Sequence, residues 1–247
     1  SLTPYHMPVD DFILDELVTD LEASSHYWQR REAIRAANAN DPQVLRGLAL
    51  TPVKFGISFT ATWFNQAGAL LHIYRDGSIH LNHGGTEMGQ GLFIKVAQVV
   101  ANALAVPLDQ VKITATSTAK VPNTSATAAS SGADLNAMAA LNAARTLKRR
   151  LSAFAAQYFA VDEDQVRFSD STVHAGGTTL SFAKLVELAY LARVQLSATG
   201  FYRTPKIHYN RKTAKGRPFY YFAYGAAVSE VAVDSLTGES RVTAVDI

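Results

Sequence analysis

The hydrophobic positions of this chain change rhythm along its length. In 10–24 (DDFILDELVTDLEAS), Phe12, Ile13, Leu17 and Leu21 recur at helical spacing. Asp10 and Asp11 sit where a helix N-terminus favours negative charge. Residues 25–38 read as a second helix with Ser25 as its cap, and NANDPQ (38–43) as a connector. From 44 the rhythm shortens to that of strands. GISFTATWF (56–64) is β-branched and aromatic, and AGALLHIYRDGSIHLNH (67–83) predicts a hairpin turning at Asp76-Gly77. Leu92, Val96, Val99 and Ala103 line a helical face, and VKITATST (111–118) reads as a strand. A long helix is predicted over 132–158. Its buried stripe would be Met138, Leu141, Ala144, Leu147, Leu151, Phe154 and Tyr158, and its start a capping-box-like Ser131 with Asp134. A small two- or three-strand excursion around Gly176-Gly177 (161–182) and a helix over 181–194 follow. VQLSATGFY (194–202) and 219–247 then return to strands, with a hairpin turn at 236–239. The pattern predicts an α+β fold, mixed sheet hairpins packed with helices. A helical segment, 1–43, is set apart from 44–247, and no internal repeat is visible.

Composition narrows the function classes. The chain has 247 residues, 48% hydrophobic and 18% charged, enough for one large domain or two small ones. A net charge of +2 gives no argument for nucleic acid or an anionic membrane, and the basic run RKTAKGRP (211–218) reads as a solvated loop. The absence of cysteine excludes a disulfide framework and a cysteine-ligated zinc or iron–sulfur site on this chain. No apolar run approaches the ~20 residues of a membrane span. The stretch SLTPYHMPVDDF lacks the pattern of an export signal, so a cytoplasmic location is the expectation.

Two loops carry the candidate chemistry. HGGTEMGQG (83–91) joins a predicted strand to a predicted helix and offers four glycines, one acid and one amide. Glycine permits positive φ and close approach of a ligand to the main chain, and a helix N-terminus presents unpaired N–H groups. The spacing is neither G-x-G-x-x-G nor a P-loop, which argues against nucleotide binding by those devices. The loop 119–131 (AKVPNTSATAASS), which includes Pro122, also opens a helix and adds short hydroxyls at Thr127, Ser130 and Ser131. Side by side, the two would line a slot for a flat polar heterocycle with a phosphate. Two independent strand-to-helix turns remain the open alternative.

FNQAGAL (64–70), DGS (76–78), HGGTEMGQGL (83–92) and VPNTSATAASSGAD (121–134) closely resemble the molybdenum-binding subunit or domain of the xanthine dehydrogenases, in the xanthine oxidase/aldehyde oxidase family. PVKFGISFT (52–60), ATGFYRTP (198–205), FAYGAAVSEV (222–231) and DSLTGE (234–239) fit in the same order. The resemblance covers roughly 10–247, and co-linear motifs are far more specific than one glycine loop. It implies a molybdopterin cofactor with molybdenum, and hydroxylation of hypoxanthine and xanthine to urate in the intact enzyme. Electrons would pass through iron–sulfur clusters and FAD, carried elsewhere, to NAD. It implies cofactor contacts at Met88, Gly89 and Gln90 and at Ala128, Ala129, Ser130, Ser131 and Gly132. Phe59 and Thr60 would lie at the purine pocket, though Phe59 could also be plain core. The family's hold on its cofactor is mainly through the pterin, so no metal ligand is assigned here.

The family's catalytic glutamate belongs to a glycine–glutamate–proline-type segment that does not occur here; Gly238-Glu239 lies in a turn. Its purine-orienting segments are also missing, so no catalytic residue is assigned. Glu87 is expected to brace its own loop, and His83 to be a packed or capping residue. The chain is expected to be a central piece of the large subunit, truncated at both ends, inactive and without bound cofactor when isolated. Its partners would be the remainder of that subunit, the Fe–S/FAD domains and a purine. The alternatives are a non-catalytic folding or interaction domain, or an aldehyde oxidase-type hydroxylase of another heteroaromatic substrate.

Overall fold

The computed structural model describes residues 1–41, 43–121 and 123–247; Pro42, in the expected connector, and Pro122, in the second loop, lie outside them. In chain order the helices are α1 (Leu14–Ser24), α2 (Tyr27–Asn40), α3 (Leu92–Leu104), α4 (Gly132–Phe159) and α5 (Phe182–Leu191). The strands are β1 (Val44–Ile57), β2 (Gln66–Ile73), β3 (Ile79–His83), β4 (Val111–Ile113), β5 (Val166–Ser169), β6 (Thr172–Ala175), β7 (Thr178–Ser181), β8 (Ser197–Arg203), β9 (His208–Asn210), β10 (Lys215–Arg217), β11 (Tyr221–Asp234) and β12 (Ser240–Asp246). This is the expected α+β class. Contacts divide the chain into two compact units, one of 1–57 with 210–247 and one of 58–209.

In the first unit β1 pairs antiparallel with β11 along its whole length, from Val44 with Asp234 to Ile57 with Tyr221. β12 completes the sheet as a hairpin whose turn is held by Asp234 Oδ1, which accepts the N–H groups of Leu236 and Thr237. Leu21, Tyr27 and Val228 form the core under α1 and α2, with Leu48 and Leu50 against it. Arg30 ties α2 to the sheet through Glu230 (2.9 Å) and Asp246 (2.6 Å). Three local expectations fail here. Helix α1 begins after Phe12 and Ile13, which are exposed, and its first-turn acids are Asp15 and Glu16 rather than Asp10 and Asp11. Ser25 ends α1, donating its hydroxyl to Leu21 C=O, and does not cap α2, whose N-cap is His26.

The second unit is built on a four-stranded sheet of order β4-β3-β2-β8. Ala69, Leu71 and Ile73 of β2 pair with His83, Leu81 and Ile79 of β3, and this common face is buried with α3 and α4 in one core. A three-stranded sheet, β5-β6-β7, and α5 extend it. The buried stripe of α4 differs from the expected one. It runs through Ala139, Ala140, Ala143 and Ala144 to Leu147 and Leu151, while Tyr158 is exposed. The reason is Gly200 on β8: a Cβ there would strike Ala139 C=O and Ala143 N, so strand and helix backbones touch and only alanine fits between. On α3 the buried line is Leu92, Val96, Val100 and Leu104, with Val99 and Ala103 only half-buried. Of the run 56–64 only Gly56 and Ile57 are strand. β1 ends at Ile57, Ser58 takes φ 131°, and the buried Asn65 side chain accepts Phe59 N–H and donates to the carbonyls of Phe59 and Thr62. The strand expected over 111–118 stops at Ile113.

Gly200→Ala is expected to destabilise the second unit by roughly 2 kcal/mol through overpacking, measured by urea denaturation. Gly225→Ala, where a Cβ meets nothing within 4 Å, is expected to leave stability nearly unchanged.

Candidate functional site

β3 and β4 are parallel neighbours, Ile79 opposite Val111 and Leu81 opposite Ile113. Each runs into a helix, β3 through 84–91 into α3 and β4 through 114–131 into α4. Parallel strands finish at the same edge, so both loops leave the sheet side by side, the usual place for a ligand crevice. Thr127 Oγ1 accepts Thr86 N–H (2.8 Å) and Thr116 Oγ1 donates to Gly85 C=O (3.0 Å), joining the two segments. Gly84 and Gly85 are glycine because their neighbours leave no room: Thr124 fills the place of a Cβ on Gly84, and a Cβ on Gly85 would lie 2.7 Å from Asn136 Nδ2.

The first loop is closed on itself. The Glu87 carboxylate accepts N–H groups from Gly89 (2.9 Å), Gly91 (2.9 Å) and Phe93 (3.0 Å). These bonds, that from Phe93 foremost, hold its pKa below the ordinary carboxylate value. Glu87 is therefore the brace expected of it and is unsuited to take a proton. Gln90 Oε1 accepts Met88 N–H (2.6 Å) while Nε2 donates to Thr86 C=O (3.0 Å).

The second loop is open and strained. Ser131 N–H donates to Ala128 C=O (3.2 Å), closing a turn whose central residues Ala129 (φ 54°) and Ser130 (φ 53°) are both left-handed. Turns with two positive φ values favour asparagine and glycine, and each residue bearing a Cβ costs roughly 1–2 kcal/mol there. Among the described residues no protein acceptor meets the N–H groups of Ala129 or Ser130. Ser131 lies buried beneath the turn. Its hydroxyl donates back to Ala128 C=O (3.1 Å), so the expected cap on α4 does not form.

An open cavity of about 510 Å³ lies between the loops. Met88 and Gln90 line it from one side, and Ala128, Ala129, Ser130 and Gly132 from the other. Gly89 and Ser131 do not reach its wall, and neither do Phe59 and Thr60. Ser58 N–H nevertheless contacts Ala129 C=O (3.4 Å), so the 58–60 segment adjoins the strained turn. Phe59 is half-buried with its ring edge-to-face on Phe64 (5.6 Å), and Thr60 is exposed. Lys95 also lines the cavity and was not anticipated. Its signal was present: a cation one turn into a helix that starts at the glycine loop, its N–H bonded to Gly91 C=O. Among the described residues no three His, Cys, Asp or Glu side chains converge as metal ligands.

His83 stands beneath the first loop, buried, with its Nδ1 accepting Gly85 N–H (3.1 Å). Burial is the main cause that lowers its pKa to about 4; Asn136 and Glu87 act in the opposite sense.

Comparison with known proteins places the chain in a family. The molybdopterin cofactor-binding domain family matches residues 20–247. The chain belongs to this family. Its relatives include the xanthine dehydrogenase/oxidase of Gallus gallus, 42% identical, and of Mus musculus, 43% identical. The xanthine dehydrogenase of Oryza sativa subsp. japonica is 41% identical. Each match covers 100% of this chain and 17% of the relative, so the chain spans about a sixth of their length. Among solved structures, quinoline 2-oxidoreductase from Pseudomonas putida 86 aligns with a TM-score of 0.80 at 22% identity, over 99% of this chain and 32% of that one. The Cu,Mo-CO dehydrogenase aligns at 0.79 and 18% identity, over 99% and 31%. At those identities the likeness establishes the fold, and the xanthine dehydrogenases carry the nearer kinship.

A buried histidine that stays neutral makes the molybdopterin-binding domain acid-sensitive. Below pH 6.5 the unfolded chain takes up a proton at His83 that the folded chain refuses until about pH 4. Stability is therefore expected to fall with pH across that window, by about 2 kcal/mol from His83 between pH 7 and pH 5. Urea denaturation at the two pH values measures it, and His83→Gln is expected to lack that component.

Proposed function

We propose that the cavity between the two loops binds the pterin of a molybdopterin cofactor, in a xanthine dehydrogenase of which this chain supplies part of the large subunit. The observation that carries this reading is the strained turn at Ala129 and Ser130, two residues that line the cavity and whose N–H groups meet no acceptor among the described residues. A pterin edge alternates donors and acceptors, and main-chain amides match it without a mobile side chain. Lys95 would pair with the cofactor's phosphate, and Met88 would cover an apolar flank. Gly89 and Ser131 would act by shaping their loops rather than by touching the cofactor.

When bound, the cofactor supplies a molybdenum centre for hydroxylating an electron-poor purine carbon, as in converting hypoxanthine or xanthine to urate. The residues of this chain bind and orient. Glu87 is committed to three N–H groups and moves no proton. Phe59 would pack on the flat purine, a contact worth about 0.5–1.5 kcal/mol beyond burial, and the exposed Thr60 would offer it a hydroxyl. Electrons would pass to Fe–S, FAD and NAD sites on other domains or subunits, in the cytoplasm. An aldehyde oxidase-type substrate is the weaker reading, because the xanthine dehydrogenases named above match along the whole chain at 41–43% identity.

A second reading, a non-catalytic interaction domain, draws on one observation. Leu45, Val53, Phe55, Val242 and Val245 share one sheet face in the first unit by register, and all are exposed. Sedimentation of the cofactor-free chain would show self-association if that face governs its behaviour.

Molybdenum analysis and pterin fluorescence after incubation with molybdenum-loaded molybdopterin test the main reading. Because both walls of the cavity belong to this chain, near-stoichiometric retention is expected in place of the empty isolated chain anticipated from the sequence, and Lys95→Ala is expected to weaken it about tenfold. No retention by the unaltered chain would contradict the reading. In the full-length enzyme, Phe59→Ala is expected to lower kcat/KM for xanthine roughly three- to tenfold.

A further inference from the structure

We infer that His83 and Asn136 form a buried polar strut tying the first loop to the start of α4, and that both are positioning residues for the cavity. The placement of the two side chains is independent of the cofactor reading; the consequence for binding rests on that reading.

His83 points into the helix-covered face of the sheet, in register with Ala69, and is 2% exposed. Its Nδ1 accepts Gly85 N–H, so the neutral ring carries its proton on Nε2. That Nε2 is buried without a hydrogen-bond partner, and the ring is held edge-to-face by Phe93 at 5.1 Å. Asn136, on the second turn of α4, is 5% exposed. Its Nδ2 donates to Gly132 C=O (2.8 Å), which fixes the amide and leaves Oδ1 buried and without a partner. The two side chains adjoin, close enough for Asn136 to favour a proton on the imidazole, although no bond of good geometry closes between them.

One orphan is a donor and the other an acceptor. Leaving each buried and unmade is unfavourable, and a small movement that joins them satisfies both. Joined, they complete a path from Gly85 N–H through His83 and Asn136 to Gly132 C=O. That path crosses from one loop to the helix turn carrying the other. Asn136 packs closely on the loop, since its Nδ2, with Leu92, occupies the space a Cβ on Gly85 would need. An apolar pair of the same volume would fill the space but would not fix the spacing, whereas a polar pair has one satisfied arrangement. The cavity lies between the segments so joined, and its width follows from that spacing.

Long-range 1H–15N correlation on the 247-residue chain reads the histidine tautomer directly, and amide exchange reads the Gly85 bond. The Nε2–H tautomer is expected in the unaltered chain. Asn136→Leu is expected to speed Gly85 exchange about tenfold, while Asn136→Gln, which keeps both an acceptor for Nε2–H and a donor for Gly132 C=O, stays closer to the original rate. Molybdopterin affinity is expected to follow the same order. An Nδ1–H tautomer would overturn the strut, and so would Gly85 exchange indifferent to Asn136→Leu. The tautomer needs no variant, so a poorly folded Asn136→Leu still leaves a decision. If the unaltered chain shows the strut but binds no molybdopterin, the cofactor reading fails and the strut stands.

Discussion

The parallel pairing of β3 with β4 is the constraint from which the site follows. Antiparallel strands in those positions would send their exits to opposite edges of the sheet. As neighbours running the same way, and each feeding a helix, they deliver 84–91 and 114–131 to one edge. The close contact of α4 with β8 at Gly200 then presses the helix backbone onto the sheet. Sheet topology and one glycine thus place together two loops separated in sequence by the whole of α3 and β4.

The loops divide their tasks unequally. In the first, Glu87 and Gln90 take up most of the available polar groups and make a stiff wall. In the second, Ala129 and Ser130 stand in a conformation that neither residue favours, with their N–H groups unmatched. Strain of that kind persists only where surrounding structure over-determines it, and it gathers where ligands are held. Thr127 and Ser58 supply such restraint, bonding to Thr86 and to Ala129 C=O.

Much of this was legible from local pattern. The hairpin at Asp76-Gly77, the extents of α3 and α4 and the three-strand excursion follow from periodicity and turn chemistry that act within a few residues. Long-range effects were not legible. Alanines replace the larger residues on the buried side of α4 because a glycine on a strand 60 residues away lets backbones meet. The run 56–64 has strand composition, but one buried amide, Asn65, folds it into a turn. The grouping of 1–57 with 210–247 depends on β1 pairing with β11, which no local signal announces. At the site, sequence physics left two independent helix starts as an equal alternative. The resemblance to xanthine dehydrogenases supplied the residues, six of which line the cavity, but not that Glu87 and Gln90 occupy donors of the first loop or that Lys95 lines the cavity.

The central claim is that the turn at Ala129 and Ser130 offers its free amides to a pterin. Amide-resolved 1H–15N spectra of the chain, recorded as molybdopterin is added, test it most directly. The account predicts saturable shifts and slowed exchange at Ala129 and Ser130, with smaller changes at the Lys95 amide. Spectra in which those two amides stay unchanged at saturation, or in which the changes fall on other segments, would contradict it.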